Sequence, residues 1–158
     1  RGLGDVYKRQ NILKAKCTMH EDGIHFSKEA HHELEVMSCA VEEIITLSTE
    51  AFVHDDINQA IHIEPLEQVI DNLKAELRAK HTKRLQSGAC TIENGMLFFD
   101  IINSFERIAD HCSNLAVCII ELSQGSYQTH SYLKQVKSQS NRQFMDSFEK
   151  YLKKYALH

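Results

Sequence analysis

An apolar stripe with helical spacing runs through residues 101–122 and limits what this chain can fold into. Its members alternate steps of three and four along the sequence: Ile101, Phe105, Ile108, Cys112, Leu115, Ile119 and Leu122. An α-helix places residues at this spacing on a single face. We expect that face to be buried, because removing apolar surface from water is the main favourable contribution to folding.

The stripe belongs to the last of three long helices that the sequence predicts. This helix begins at Thr91, a suitable N-cap residue, and Gly125 closes it. The first predicted helix begins at Ser27, also an N-cap residue, and extends to about Phe52. Its apolar residues repeat at helical spacing, which predicts a second buried seam.

The middle predicted helix lies between these two and contains the single proline of the chain. Asp55 and Asp56 are suited to cap its start, and Gly88 marks its end. Pro65 lacks a backbone N–H and crowds the preceding turn. We therefore expect this helix to be bent or split at residues 61–64.

These patterns predict an all-α fold, since no strand-type alternation of useful length occurs. Long helices joined by short loops pack as antiparallel neighbours, so residues 25–125 are expected to form an up-down three-helix bundle. Residues 126–158 add a C-terminal helical extension with an aromatic stripe: Phe144, Phe148, Tyr151 or Leu152, and Tyr155. Residues 11–24 have the pattern of the end of a preceding helix. Residues 1–10, RGLGDVYKRQ, resemble a translated sequencing-adaptor tail rather than native sequence, so we exclude them from the fold.

The composition of the chain excludes several classes of function. The formal charge is −4, and no basic cluster is interleaved with aromatic residues, so we expect no binding to nucleic acid. No apolar run approaches the roughly twenty residues that span a bilayer. The cysteines form no CxxC pair, which favours free thiols over a disulfide framework or a zinc knuckle. We expect Cys39, Cys112 and Cys118, which lie in helical apolar patterns, to pack as small hydrophobic residues.

Two columns of acidic and amide side chains have the same spacing, i, i+3 and i+7, on the middle and last helices. The columns are Glu64, Glu67 and Asp71, and Asn103, Glu106 and Asp110, with Asn114 one turn further. Each column contains an ExxxD pair. One interpretation is two solvated faces with local ion pairs, such as Lys74 with Asp71. The other sets the columns opposite each other as ligands for a hard or borderline cation, such as iron, magnesium, manganese or zinc.

Three stretches of the chain resemble a known family: HFSKEAHHELEVMSCAVEEI, EPLEQVIDNLKAELRAKHTKRLQSG and SFERIADHCSNLAVCIIEL. They are similar to the PhoU-like domain at the C-terminus of bacterial sodium/phosphate cotransporter family proteins, and the similarity extends over nearly the whole chain from Asn11. Such domains consist of two repeated three-helix bundles. Asn11-Ile12 resembles Asn114-Leu115, which implies one complete repeat preceded by the tail of another.

The resemblance also implies a metal site, because ExxxD motifs of PhoU-like domains are associated with multinuclear metal clusters on the bundle surface. It implies iron, zinc or another divalent cation as the cofactor. The implied ligands are Glu67, Asp71, Glu106 and Asp110, with Glu64, Asn103 and Asn114 as further candidates.

The function that this resemblance implies is regulation rather than catalysis. Our first hypothesis is a regulatory domain of a sodium-dependent phosphate transporter, on the cytoplasmic side of a bacterial cell membrane. Its partner is then the membrane-spanning part of its own parent chain, with a homodimer or signalling proteins as further partners. The alternative is a stand-alone PhoU-type regulator of phosphate uptake that binds a transporter or a sensor kinase.

An enzyme is the hypothesis that the residues favour least. Carboxylate-bridged metal enzymes built on helix bundles use Glu-xx-His pairs. Here Ile70 follows Glu67 at i+3, and Ala109 follows Glu106. The chain also contains no P-loop and no GxSxG motif, so we expect no catalytic residue.

Overall fold

A computed structural model of the chain describes residues 26–124 and 142–157, and every regular element in these ranges is an α-helix. The helices are α1 (Lys28–His54), α2 (Ile57–Ala60), α3 (Ile63–Gln86), α4 (Ile92–Gln124) and α5 (Arg142–Lys154). The predicted all-α fold is confirmed. The predicted tail at residues 1–10, the helix end at 11–24 and most of the connection after Gly125 lie outside the described residues.

Three long helices, α1, α3 and α4, pack against one another and form the bundle. Glu33 near the start of α1 contacts Arg84 near the end of α3. Glu64 at the start of α3 contacts Ser113 in the second half of α4. The middle helix therefore runs antiparallel to both neighbours, as the up-down prediction requires. No helix within the described ranges is both long enough and apolar enough to cross a membrane.

The helix starts follow the predicted caps. The Ser27 hydroxyl accepts a hydrogen bond of 3.2 Å from the Ala30 N–H, and the Thr91 hydroxyl accepts one of 3.2 Å from the Asn94 N–H. Each bond satisfies an N–H that has no partner within its own helix. Asp55 ends α1 in the left-handed conformation, with a φ of 49°.

The predicted split of the middle helix is also confirmed. Asp56 caps the short helix α2, and the chain turns at Ile61 and His62 before α3 begins. Pro65 lies in the first turn of α3, where a missing N–H costs no intrahelical hydrogen bond. Gly88 follows α3 with a φ of 71°, which glycine adopts without the steric penalty of a Cβ atom.

The core lies between the three long helices. Its largest fully buried apolar side chains come from all three helices: Met37, Ile44, Ile63, Leu66, Val69, Ile70, Leu77, Phe98, Ile102 and Ile120.

The buried face of α4 differs from the predicted apolar stripe. Ile108 and Leu122 are 37% and 69% exposed, so the prediction that the whole stripe is buried was wrong. Ala109 and Ala116 are buried instead, because small side chains let α4 approach α1 and α3 closely and the larger residues flank that contact.

The prediction that three cysteines pack in the core was also partly wrong. Cys112 is buried as predicted, but Cys39 and Cys118 are exposed. Each lies next to a buried residue in sequence, Ala40 or Val117, and an α-helix rotates adjacent positions by about 100° around its axis, here away from the core. All four cysteines within the described residues are free thiols.

The C-terminal helix α5 packs on α3 and reaches α1. Tyr151, not Leu152, belongs to its buried face together with Tyr155. The Tyr155 hydroxyl donates to the Glu43 carboxylate on α1, and Lys154 lies 2.9 Å from the same carboxylate. Burial raises the pKa of Tyr151 to about 12. The predicted aromatic stripe thus holds this helix against the bundle.

The difference between the observed and the predicted buried face of α4 can be tested by replacing isoleucine with alanine at two positions of this helix. Ile102 is fully buried, so Ile102→Ala should lower the free energy of unfolding by about 2–5 kcal/mol. Ile108→Ala, at a position 37% exposed on the same helix, should cost less than about 1 kcal/mol. Urea denaturation of the two variants measures both values. Equal losses would show that Ile108 is as buried as Ile102.

Candidate cation site between two helices

One residue of each polar column contacts the neighbouring helix where α3 packs against α4. The Ser113 hydroxyl donates a hydrogen bond to Oε2 of Glu64. At the other end of the columns, Nζ of Lys74 lies 2.9 Å from Oε2 of Glu106. Both contacts join α3 to α4, so the two columns lie on the same side of the molecule.

These contacts also set the register of the ExxxD pairs. Along antiparallel helices, three residues from the Glu64–Ser113 contact place Glu67 level with Asp110. Seven residues from it place Asp71 within about one turn of Glu106, whose ion-pair partner Lys74 lies three residues further along α3. We call this set of side chains the acidic seam: Glu64, Glu67, Asp71, Glu106 and Asp110.

Burial decreases from one side of the acidic seam to the other. Glu64 and Glu67 on α3 are 4% and 7% exposed, and one carboxylate oxygen of each is shielded from solvent. Asp71 and Glu106 are partly buried, and Asp110 is exposed. The seam therefore has a closed side on α3 and an open side on α4.

Lys74 is the cation that the structure places in the seam. The structure pairs Lys74 with Glu106 across the two helices, a contact that the sequence pattern did not predict. Among the described residues, no group of three or more histidine, cysteine, aspartate or glutamate side chains is arranged to hold a metal ion. The donor chemistry nevertheless fits a hard cation, because all five seam side chains offer carboxylate oxygens.

The other two predicted metal ligands, both asparagines on α4, differ in burial. Asn103 is partly buried and lies three residues before Glu106, while Asn114 is exposed. The side chain of α4 that contacts Glu64 is Ser113, and not its neighbour Asn114; the sequence prediction missed Ser113. Ser113 lies three residues after Asp110 and so continues the spacing of the polar column on α4. This spacing could have identified Ser113 from the sequence. His111 is exposed beside the seam.

A second polar cluster lies at the opposite end of the bundle, and the sequence prediction missed it. Arg84 donates two hydrogen bonds to the Glu33 carboxylate, at 3.0 and 2.5 Å, and its Nε lies 3.1 Å from Nδ1 of His81. The His81 ring is stacked on Phe98 with centroids 4.0 Å apart. Glu33 and His81 are 5% and 1% exposed. A buried carboxylate needs such a partner, because an uncompensated charge in the interior is strongly unfavourable.

The family of the chain follows from a family model described as "PhoU domain", which matches residues 34–119. This is more than half of the chain and includes α3, most of α1 and most of α4, with all five side chains of the acidic seam. The chain therefore belongs to the PhoU family.

A curated relative supports this assignment. The chain is 26% identical over 130 residues to the phosphate-specific transport system accessory protein PhoU homolog 1 of Thermotoga maritima. The alignment covers 82% of this chain and 55% of that protein, so the chain spans about half the length of the relative. No solved structure matches the chain.

The buried ion pair yields a stability prediction. Arg84→Met should lower the free energy of unfolding by about 3–5 kcal/mol, because it leaves the Glu33 carboxylate buried without its cation. The double variant Glu33→Leu with Arg84→Met should recover much of that loss, since neither charge remains. Urea denaturation at pH 7 measures both.

The control is Lys80→Met, which removes one partner of the exposed pair between Glu76 and Lys80. It should cost less than about 1 kcal/mol. A double variant as unstable as Arg84→Met alone would show that packing by the arginine, and not charge compensation, stabilises this end of the bundle.

Proposed function

We propose that this chain is part of a regulator of phosphate uptake that acts by binding a phosphate transport system. The observation that carries the proposal is the PhoU family match over residues 34–119. The name of the Thermotoga maritima relative, an accessory protein of a phosphate-specific transport system, supplies the partner class. An all-helical bundle with exposed helix faces is suited to a role in binding.

Of the two regulatory hypotheses, we favour the stand-alone PhoU-type regulator. The relative is described as an accessory protein, which implies a chain separate from the transporter that it serves. The hypothesis of a regulatory domain within a sodium-dependent phosphate transporter has no comparable support. In both hypotheses the chain acts by contact with a transporter or a sensor kinase and carries out no reaction itself.

The acidic seam is the part of the fold that we propose as the cation site of this regulator. Glu67, Asp71, Glu106 and Asp110 would hold iron, zinc or another divalent cation, and such an ion would neutralise charge at the seam. Two buried carboxylates on the closed side of the seam support this assignment, because buried carboxylates are stabilised by a nearby positive charge. For an ion to take its place, Lys74 must release Glu106.

Phosphate uptake in the source organism tests the regulatory role. Deletion of the gene that encodes this chain should abolish the dependence of radiolabelled phosphate uptake on external phosphate concentration, and a plasmid copy should restore it. Uptake in the deletion strain that responds to phosphate as in the parent would refute the proposal. If the deletion instead removes only a sodium-dependent part of uptake, the cotransporter hypothesis is the correct one.

The cation site is tested by the double variant Glu106→Ala with Asp110→Ala. It should weaken binding of Fe²⁺, Mn²⁺ or Zn²⁺ to the purified chain by at least about tenfold, since it removes two proposed ligands. Equilibrium dialysis with metal analysis of both compartments measures the affinity.

The matched control is Glu93→Ala with Asp100→Ala, which removes two exposed carboxylates from the same helix and changes the net charge equally. Lys74→Met should strengthen binding, because it removes the amine that competes for Glu106. Equal affinity for the metal ion in the seam variant, the control and the wild-type chain would show that the seam is an ion-paired surface and not a cation site.

A further inference from the structure

Four large apolar side chains are exposed at the end of the bundle where α1 and α4 end. They are Phe52, Val53, Ile57 and Leu122, and Val53 and Leu122 are 66% and 69% exposed. Phe52 and Val53 lie in the last turn of α1, Ile57 begins α2, and Leu122 lies in the last turn of α4. We call these four side chains the apolar end patch.

The short helix α2 connects the members of the patch. It follows α1 after two residues and packs on both α1 and α4. Glu64 at the start of α3 contacts Ser113, so the last turns of α4 lie at the same end of the bundle as α2. Exposed apolar side chains that cluster within a polar surrounding are typical of a surface that binds another molecule.

The C-terminal helix α5 does not cover Phe52, because it lies on the other side of α1. The Tyr155 hydroxyl of α5 donates to the carboxylate of Glu43 on α1. Phe52 follows Glu43 by nine residues, which make about two and a half turns of an α-helix. Glu43 and Phe52 therefore point to opposite sides of α1.

The surroundings of the patch are acidic. Asp55 and Asp56 lie in sequence between two of its members, and Glu121 directly precedes a third. Residues 50–66 and 113–124, which form this end of the bundle, contain no lysine or arginine. The last turn of α4 also has no basic residue of its own, so nothing in that turn compensates the negative pole of the helix.

The combination of apolar and acidic groups limits the class of partner. Acidic surroundings favour a partner with positive charge, and they disfavour nucleic acid and an anionic membrane surface. A symmetric contact with the same patch of a second copy would bring two sets of acidic side chains together. A helix with an apolar face flanked by lysine and arginine matches both the apolar patch and its charge.

We propose that the apolar end patch docks a basic amphipathic helix of a partner protein. Only the identity of that partner rests on the proposed function, which assigns it to a phosphate transport system. The cytoplasmic loops of membrane proteins carry an excess of lysine and arginine. A transporter therefore presents helices of suitable charge on the face that a regulator contacts.

A model peptide tests the docking on the full chain. The probe is a fluorescein-labelled helix of about 14 residues, roughly four turns, built only from lysine and from leucine at helical spacing. A second peptide has glutamate in place of lysine, which keeps the apolar face and reverses the charge. Fluorescence anisotropy should show at least about tenfold tighter binding of the lysine peptide. Equal affinity for the two peptides overturns the proposal.

Two double variants show whether the lysine peptide binds at this end of the bundle. Val53→Lys with Leu122→Lys replaces two exposed patch residues by cations and should weaken binding at least about tenfold. The matched control is Ile92→Lys with Met96→Lys, which makes the same change at two exposed positions near the start of α4 and should leave the affinity unchanged. Equal affinity in the two double variants overturns the proposal.

Two other occupants of the patch would give different results. If light scattering shows a dimer that Val53→Lys with Leu122→Lys converts to a monomer, a second copy covers the patch and the proposal is wrong. Residues 125–141 contain Lys134 and Lys137 and no acidic residue, so this segment is the other competitor. Peptide binding that appears only after Lys134→Glu with Lys137→Glu would show that the segment covers the patch, which also overturns the proposal.

Phosphate uptake separates the docking surface from the proposed function. In the source organism, Val53→Lys with Leu122→Lys should abolish regulation of uptake as the gene deletion does, whereas Ile92→Lys with Met96→Lys should retain it. Regulation that is lost in the deletion but intact in the patch variant overturns the docking surface and leaves the proposed function standing. A deletion without effect on uptake, together with patch-dependent peptide binding, refutes the proposed function and assigns the patch to another basic partner.

Discussion

The antiparallel packing of α3 against α4 is the constraint on which the other features of this protein depend. Glu64 contacts Ser113 near one end of α3, and Lys74 contacts Glu106 near its middle. Because both helices are rigid rods with a rise of about 1.5 Å per residue, two contacts suffice to set the register of every side chain between them. That register places the two ExxxD pairs, more than thirty residues apart in sequence, at similar heights along neighbouring helices.

The same packing explains why charged groups are buried at both ends of α3. Close approach of three helices around a core of Ile, Leu, Met and Phe side chains leaves little room for water, and two of the buried carboxylates accept hydrogen bonds from protein donors. Glu33 accepts from Arg84, and Glu64 accepts from Ser113. The first contact joins two charged groups, and the second joins a neutral hydroxyl to a carboxylate.

Much of the fold could be predicted from local sequence patterns, because caps, breaks and periodicity are local. Ser27 and Thr91 cap helices as expected, and the chain breaks before Pro65. The rotation of α4 could not be predicted, since Ile108 and Ala109 are adjacent and only the distance to neighbouring helices decides which is buried. The acidic columns were visible as spacing, but the pairing of Lys74 with Glu106 depends on the register between two helices. The contact of Arg84 with Glu33, 51 residues away in sequence, gave no local signal.

The position of Lys74 connects the two interpretations of the acidic seam that the sequence left open. An ion-paired surface and a cation site use the same carboxylates, but a cation site also requires several of their oxygens to converge on one ion. Lysine is a flexible side chain that carries one charge, and here the side chain of Lys74 is 24% exposed, so it can turn to solvent without disturbing the core. A divalent ion brings two charges and binds several oxygens at once, which compensates a buried pair such as Glu64 and Glu67 better than one amine. We propose that an ion can replace the lysine in the seam, and this exchange would change the charge of the helix surface that a partner contacts.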